Sequence, residues 1–167
     1  MIRLATINDL EPIMQIIEDA KKRLKKDGSS QWQDGYPNLE VMISDIQEKN
    51  LYLYEDEEIC GIMCLTTKKD LCYSKLYGGS FQVPYELPYL TIHRFATNKP
   101  HISHKLLLFA KEKAYELGIS SIKVDTMNIN YRMRRLLEKH AFKYVGYIYL
   151  DKINEERKRD CYELVLT

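Results

Sequence analysis

Apolar residues recur along this chain at two periods, one helical and one strand-like, and their alternation lays out the elements. Ile2 to Ala5 reads as a short strand. Thr6, with Asp9 after it, has the form of a capping box. Leu10, Ile13, Met14, Ile17 and Leu24 then share one face of a first helix. The run Lys21-Lys22-Arg23-Leu24-Lys25-Lys26 suits the negative pole of that helix and predicts a solvated helix end. Asp27-Gly28-Ser29-Ser30 breaks the helix, and Gln31 to Pro37 reads as an irregular loop. Asn38 is placed to cap a second helix with the stripe Leu39, Met42, Ile43 and Ile46. Leu51 to Tyr54 and Ile59 to Leu65 are strands. The acidic turn Glu55-Asp56-Glu57-Glu58 between them predicts an antiparallel hairpin.

Residues 66–88 form a long connection punctuated by Gly78-Gly79, Pro84 and Pro88. A connection of that length is expected to be functional or to carry short structure of its own. Tyr89 to Thr97 reads as the central strand. Ser103 to Leu117 reads as a helix with Leu106, Leu107, Ala110, Ala114 and Leu117 inward and Gly118 as its stop. Ile122, Val124 and Thr126 share one face of the next strand, and Met133, Leu136, Leu137 and His140 line the helix after it. Tyr144 to Leu150 and Cys161 to Leu166 close the chain as strands, joined by the charged turn Lys152 to Asp160 in a long hairpin. The order β-α-α-β-β-β-α-β-α-β-β predicts an α/β (α+β) fold, a mixed, mostly antiparallel sheet of about seven strands with helices on both faces. Residues 1–167 are about one domain's worth of chain.

Composition narrows the function classes. The apolar share of 45% and the charged share of 29% are those of a globular domain with one core. A net charge of +1 gives no global field for nucleic acid or an anionic membrane. The basic residues that would point the other way are the lysines of the first helix with Arg132, Arg134 and Arg135. No apolar run approaches the roughly 20 residues of a membrane span, and the N-terminus reads as a strand, not a signal peptide. The four cysteines, Cys60, Cys64, Cys72 and Cys161, form no Cys-x-x-Cys pair, and no histidine stands at zinc-finger spacing from them, so no metal is expected. Cys60 and Cys64 share a strand face as small core residues, and a reducing cytoplasm is the expected compartment. Several of the 13 tyrosines are expected as half-buried rings on strands.

The chemistry concentrates between Tyr89 and Phe142. A strand that turns abruptly into a helix leaves free N–H groups at the helix start, beside the positive pole of its dipole, and so offers an anion site. The words carrying this pattern are His93-Arg94-Phe95-Ala96-Thr97, then His101-Ile102-Ser103-His104-Lys105-Leu106-Leu107, Asp125-Thr126, Asn130-Tyr131-Arg132-Met133-Arg134-Arg135-Leu136-Leu137, and His140-Ala141-Phe142. This segment, and the element order of the whole chain, resembles the GNAT (GCN5-related) N-acetyltransferases.

The resemblance implies acetyl-CoA as acyl donor and a primary amine of a small molecule, amino acid or peptide as acceptor. Transfer would be direct, in a ternary complex. It implies that the pantetheine arm pairs with the backbone of Tyr89 to Thr97 as an added strand, with Phe95, Ala96 and Thr97 nearest the acyl group. A backbone N–H there would hold the oxyanion. The pyrophosphate would sit on His101, Ile102, Ser103, His104 and Lys105. Here the chain departs from the family signature R-x-x-G-x-G/A. The loop is short, and His101 and Ser103 replace its glycines, whose role is to let phosphates approach the backbone. Ser103 could cap the helix, His101 could turn outward, and Lys99, His104 and Lys105 could supply charge. Asn130, at a helix start, is expected either to reach the cofactor or only to cap the helix, with Met133 beside it. Family members often place a tyrosine acid seven residues after that asparagine, where this chain has Leu137. Tyr131, Tyr147 and Tyr149 are the substitutes.

His93 is the first candidate for general base, since its unshifted pKa lies in the working range and it lies two residues before Phe95. Asp125 is the second. The acceptor amine is expected at Trp32, Gln33, Asp34 and Tyr36, an aromatic wall with one carboxylate. Tyr73, Tyr77 and Phe81 are expected to close the site from the other side. A homodimer is common in the family. The alternative is a GNAT-like CoA-binding or regulatory module that has lost turnover, motivated by the replaced glycines and the vacant tyrosine position.

Overall fold

Alternating apolar residues make the strands, and caps and glycines end the helices. The computed structural model describes residues 1–167. Its strands are β1 (Ile2–Leu4), β2 (Leu51–Glu55), β3 (Ile59–Thr66), β4 (Leu90–Thr97), β5 (Ser121–Thr126), β6 (Lys143–Tyr149) and β7 (Lys158–Val165). Its helices are α1 (Leu10–Lys26), α2 (Leu39–Gln47), α3 (Pro100–Glu116) and α4 (Tyr131–Lys139). The strands form one mixed sheet in the order β1-β2-β3-β4-β5-β7-β6. β4 and β5 pair parallel, while β1–β2, β2–β3, β5–β7 and β6–β7 are antiparallel, so the sheet is mostly antiparallel, as the element order predicts. No helix is long and apolar enough to cross a membrane.

The chain divides into two compact units, residues 1–65 with 93–110, and residues 66–92 with 111–167. In the first, β1 pairs with β2 and β2 with β3. Ile13, Ile16, Ile17 and Ala20 of α1 pack with Met42, Leu51, Leu53, Ile62, Cys64 and Ala96 into one core. The start of α1 is tied down by Asp9, whose carboxylate accepts from the Thr6 N–H at 2.7 Å and from Arg3 at 2.9 Å. Asn38 caps α2 by accepting from the Val41 N–H at 2.9 Å, a bond worth about 1 kcal/mol. The α2 stripe differs from the expected one. Met42 and Asp45 are its buried positions, and Leu39 is exposed.

In the second unit β5 and β6 flank β7, and the first three residues of β4 pair with β5. The core here is aromatic, with Tyr73 and Tyr89 packed against Ile148 and Cys161. The connection 66–88 does carry structure. It has a 3-10 turn at Leu71–Ser74 and a bridge from Tyr77 to Tyr147. Gly118 ends α3 with φ +67°, and the Ile119 N–H returns to the Ala114 carbonyl at 2.9 Å. That is the left-handed stop that glycine makes without strain.

Two boundaries shift. α3 begins at Pro100, not Ser103, because a proline at the first helical position has its φ preset and loses no N–H that the helix needs. Leu117 then lies beyond the last turn and is exposed. β7 begins at Lys158, three residues before the expected start, because β6 extends the ladder to Tyr149↔Lys158.

Candidate active site

In the first unit the site residues gather on the second half of β4. The β4–β5 ladder covers Leu90–Ile92 and Ile122–Val124 only. His93 is therefore the first residue past the last rung of its strand, and Asp125 holds the same position on β5. One residue later Arg94 takes φ +46°, a left-handed conformation that is uncommon away from glycine. Its guanidinium holds it there. Nε and Nη2 donate to the two carboxylate oxygens of Asp45, at 2.5 and 2.9 Å. Nη1 donates to the Tyr36 hydroxyl at 2.7 Å, and Nη2 also meets the Cys64 sulfur at 3.3 Å. Asp45 is buried. Phe95 is half-buried, and Ala96 turns its methyl into the core, so only its backbone is on offer.

Only Asn98 and Lys99 separate β4 from α3. The Asn98 N–H donates to the Cys60 carbonyl at 2.9 Å, and Arg23 of α1 donates to the Thr97 carbonyl at 2.8 Å. Arg23 is thus more than part of a solvated helix end. Ser103 does not cap α3. It lies in the first turn, with its Oγ 2.9 Å from the Thr97 hydroxyl. His101 turns outward and is exposed. Two of the residues expected to meet phosphate point elsewhere. Ile102 is buried against Gly61, and the Lys105 ammonium donates to the Tyr54 hydroxyl at 3.1 Å and lies over that ring. His104 is half-buried.

The loop between α1 and α2 holds the four expected acceptor residues. Trp32, at φ +64°, is half-buried and packs on the first core. Gln33 donates to the Lys21 carbonyl at 2.8 Å, and Asp34 accepts from the Tyr36 N–H at 3.4 Å. Tyr36 is exposed. A groove of about 230 Å³ runs between this loop and the end of α1. Three lysines and one glutamate line it with Trp32 and Gln33, so its own charge favours an anion, and Tyr36 lies outside that lining.

In the second unit Asp125 accepts from the Tyr73 hydroxyl at 2.7 Å. Burial, followed by the nearby Asp125, holds the Tyr73 pKa well above its usual value of 10. Tyr73 is buried and presents no ring to a substrate, contrary to expectation. Tyr77 stacks on Tyr147 at 5.6 Å, with Tyr149 edge-on at 5.3 Å. Asn130 caps α4 by accepting from the Met133 N–H at 3.3 Å, and its amide donates to the Thr126 hydroxyl at 3.1 Å. Met133 is half-buried and Tyr131 exposed. Leu137 is buried, so nothing at its position can serve as acid.

Nucleophilic catalysis by cysteine has no support. Burial raises all four thiol pKa values, to about 11 for Cys64 and Cys72 and beyond the physiological range for Cys161. A protonated thiol is not a nucleophile. The sequence reading missed Arg94 with Asp45, Arg23, and the buried pair of Lys123 and Glu163. Each depends on residues far apart in the chain, and no local pattern marks them.

Neither the family models nor the curated proteins give a match to this chain. Solved structures do. A GNAT-family acetyltransferase from Streptococcus agalactiae superposes with TM-score 0.88 at 28% identity, covering 100% of this chain and 95% of its own. One from Listeria monocytogenes gives 0.74 at 20%, covering 99% and 94%. A Salmonella typhimurium protein named as an acetyltransferase, and solved with its cofactor acetyl-CoA, gives 0.68 at 14%, covering 100% and 94%.

Proposed function

We propose that this chain, which has the GNAT N-acetyltransferase fold, moves an acetyl group from acetyl-CoA to a primary amine. Residues 1–167 act in this as one domain, in a reducing cytoplasm that suits four free cysteines. The observation that carries the reading is β4, which leaves its ladder after Ile92 and runs within a few residues into the start of α3. Backbone groups of residues 93–97 would pair with the pantetheine arm. The first turn of α3 would meet the pyrophosphate through its N–H groups and dipole, without the lysine charge that Lys105 carries elsewhere.

The amine nitrogen attacks the thioester carbonyl carbon and loses a proton to His93, directly or through water. A backbone N–H of β4 holds the oxyanion. The C–S bond then breaks, and the leaving thiolate takes a proton from water or from the exposed Tyr131. Asp125, fixed by Tyr73, is the second candidate for the base. Four protonated thiols support direct transfer over an acyl-enzyme. No metal is invoked.

His93→Ala should lower kcat by about 10²-fold or more and leave the calorimetric Kd for acetyl-CoA nearly unchanged. A parallel fall in both would make His93 structural. One observation favours a second reading, a CoA-binding module without turnover. Leu137 is buried at the position where family members often carry a tyrosine acid, which leaves the departing thiolate without that donor. Micromolar binding, about −8 kcal/mol, with no acetylation of any amine in a broad panel would select it.

A further inference from the structure

A buried ion pair adds little net stability, because desolvation offsets the attraction. The Arg94–Asp45 pair, with side chains 14% and 7% exposed, therefore asks what else it does. Three observations converge on it. Arg94 interrupts the β4 segment that offers its backbone, and does so in a left-handed conformation that its own side-chain bonds hold. Such an outlier persists where the surroundings over-determine it. Asp45 lies on α2, the helix that the loop 27–38 leads into. The remaining arm of the guanidinium ends on Tyr36, the exposed aromatic residue at the end of that loop. One planar group on the strand thus holds the helix through Nε and Nη2 and the loop through Nη1. Lysine, a point charge, has no such geometry.

We infer that Arg94 is a positioning residue for the acceptor amine. It fixes Tyr36, and through it the loop between α1 and α2, relative to the strand that carries the acyl group. This rests on the acetyl-transfer reading given above. The Arg94 side chain touches neither substrate in this account. Through Tyr36 it sets where the amine-facing ring stands, and so bears on amine binding.

The test uses Tyr36→Phe, which deletes one hydroxyl, and Arg94→Lys, which leaves Asp45 a cationic partner. Peptide-resolved hydrogen exchange of the free protein should show faster exchange over residues 31–37 in both variants. Initial rates would be measured with spermidine, L-lysine and an alanyl dipeptide amide as acceptors. For whichever amine the wild type acetylates, KM should rise about tenfold in both variants, kcat should change far less, and in Tyr36→Phe the acetyl-CoA Kd should hold. Unchanged exchange in both variants overturns the tie between Arg94 and the loop. Faster exchange with an unchanged KM overturns the role in amine binding. Should the wild type acetylate none of these amines nor any in a broad panel, the acetyl-transfer reading and the role in amine binding fall together, while the exchange data still decide whether Arg94 holds the loop.

Discussion

Lys123 shows what one residue can ask of its surroundings. Its side chain is fully buried on β5. The ammonium donates to the Val83 carbonyl at 2.6 Å, lies 3.9 Å from Glu163, and sits over the rings of Phe81 and Tyr89. Glu163 in turn accepts from Ser121 and from the N–H groups of Gln82 and Val83, so the pair clamps residues 81–83 to the sheet. Burial pulls the Lys123 pKa down to about 8, against the pull of Glu163. Between that value and the 10.5 of the unfolded chain, the folded protein binds fewer protons than the unfolded one. Stability from this group therefore rises with pH across that window and is least favourable below it, with a slope up to about 1.4 kcal/mol per pH unit. Tyr73, Tyr89 and the four thiols, whose pKa values burial raises, act in the opposite sense as pH climbs past their ordinary values, and they cancel in a comparison of two proteins that both carry them. Urea midpoints of wild type and Lys123→Met should diverge from pH 8 to 10, the wild type gaining. Parallel profiles would mean the ammonium is solvated.

At the scale of elements, β3 and α3 meet through Gly61. A Cβ there would stand 2.9 Å from Ile102 Cγ2 and 3.2 Å from Leu106 Cδ1 and Thr97 Cγ2. Gly61→Ala should displace the first turns of α3 and cost about 1–3 kcal/mol in urea unfolding. Acetyl-CoA affinity should fall with it, because that helix start is the proposed anion site. Intact affinity with lost stability would move the pyrophosphate off α3. The helices themselves were readable from sequence, since their stripes and caps are local: Thr6 with Asp9, Asn38 and Gly118 all act where expected. The direction of individual side chains was not. Lys105 reads as a phosphate ligand in sequence because it follows a helix start, yet Tyr54, on a strand 51 residues away, claims it.

Across the whole molecule, a net charge of +1 and a fold shared with acetyltransferases lead to one expectation. A ligand that binds only the folded state stabilises it by RT ln(1 + [L]/Kd), about 2.7 kcal/mol at a hundred times Kd. Saturating acetyl-CoA should therefore raise Tm in scanning calorimetry by about 5–11 °C. Random duplex DNA at moderate salt should leave it unmoved. A shift with DNA and none with acetyl-CoA would reverse the functional reading.

The amino-acid order alone determined the elements and their succession, because hydrophobic period, caps and breakers act over a few residues. It also marked β4, α3 and the start of α4 as places for chemistry, because a strand running into a helix is a local pattern with an electrostatic consequence. The tertiary structure decided which polar groups are committed to one another. Arg94 lies 49 residues from Asp45, and Tyr73 lies 52 from Asp125. Bonds between such distant residues exist only once the chain has closed on itself. Burial then fixes which donors are used up and which remain for a ligand.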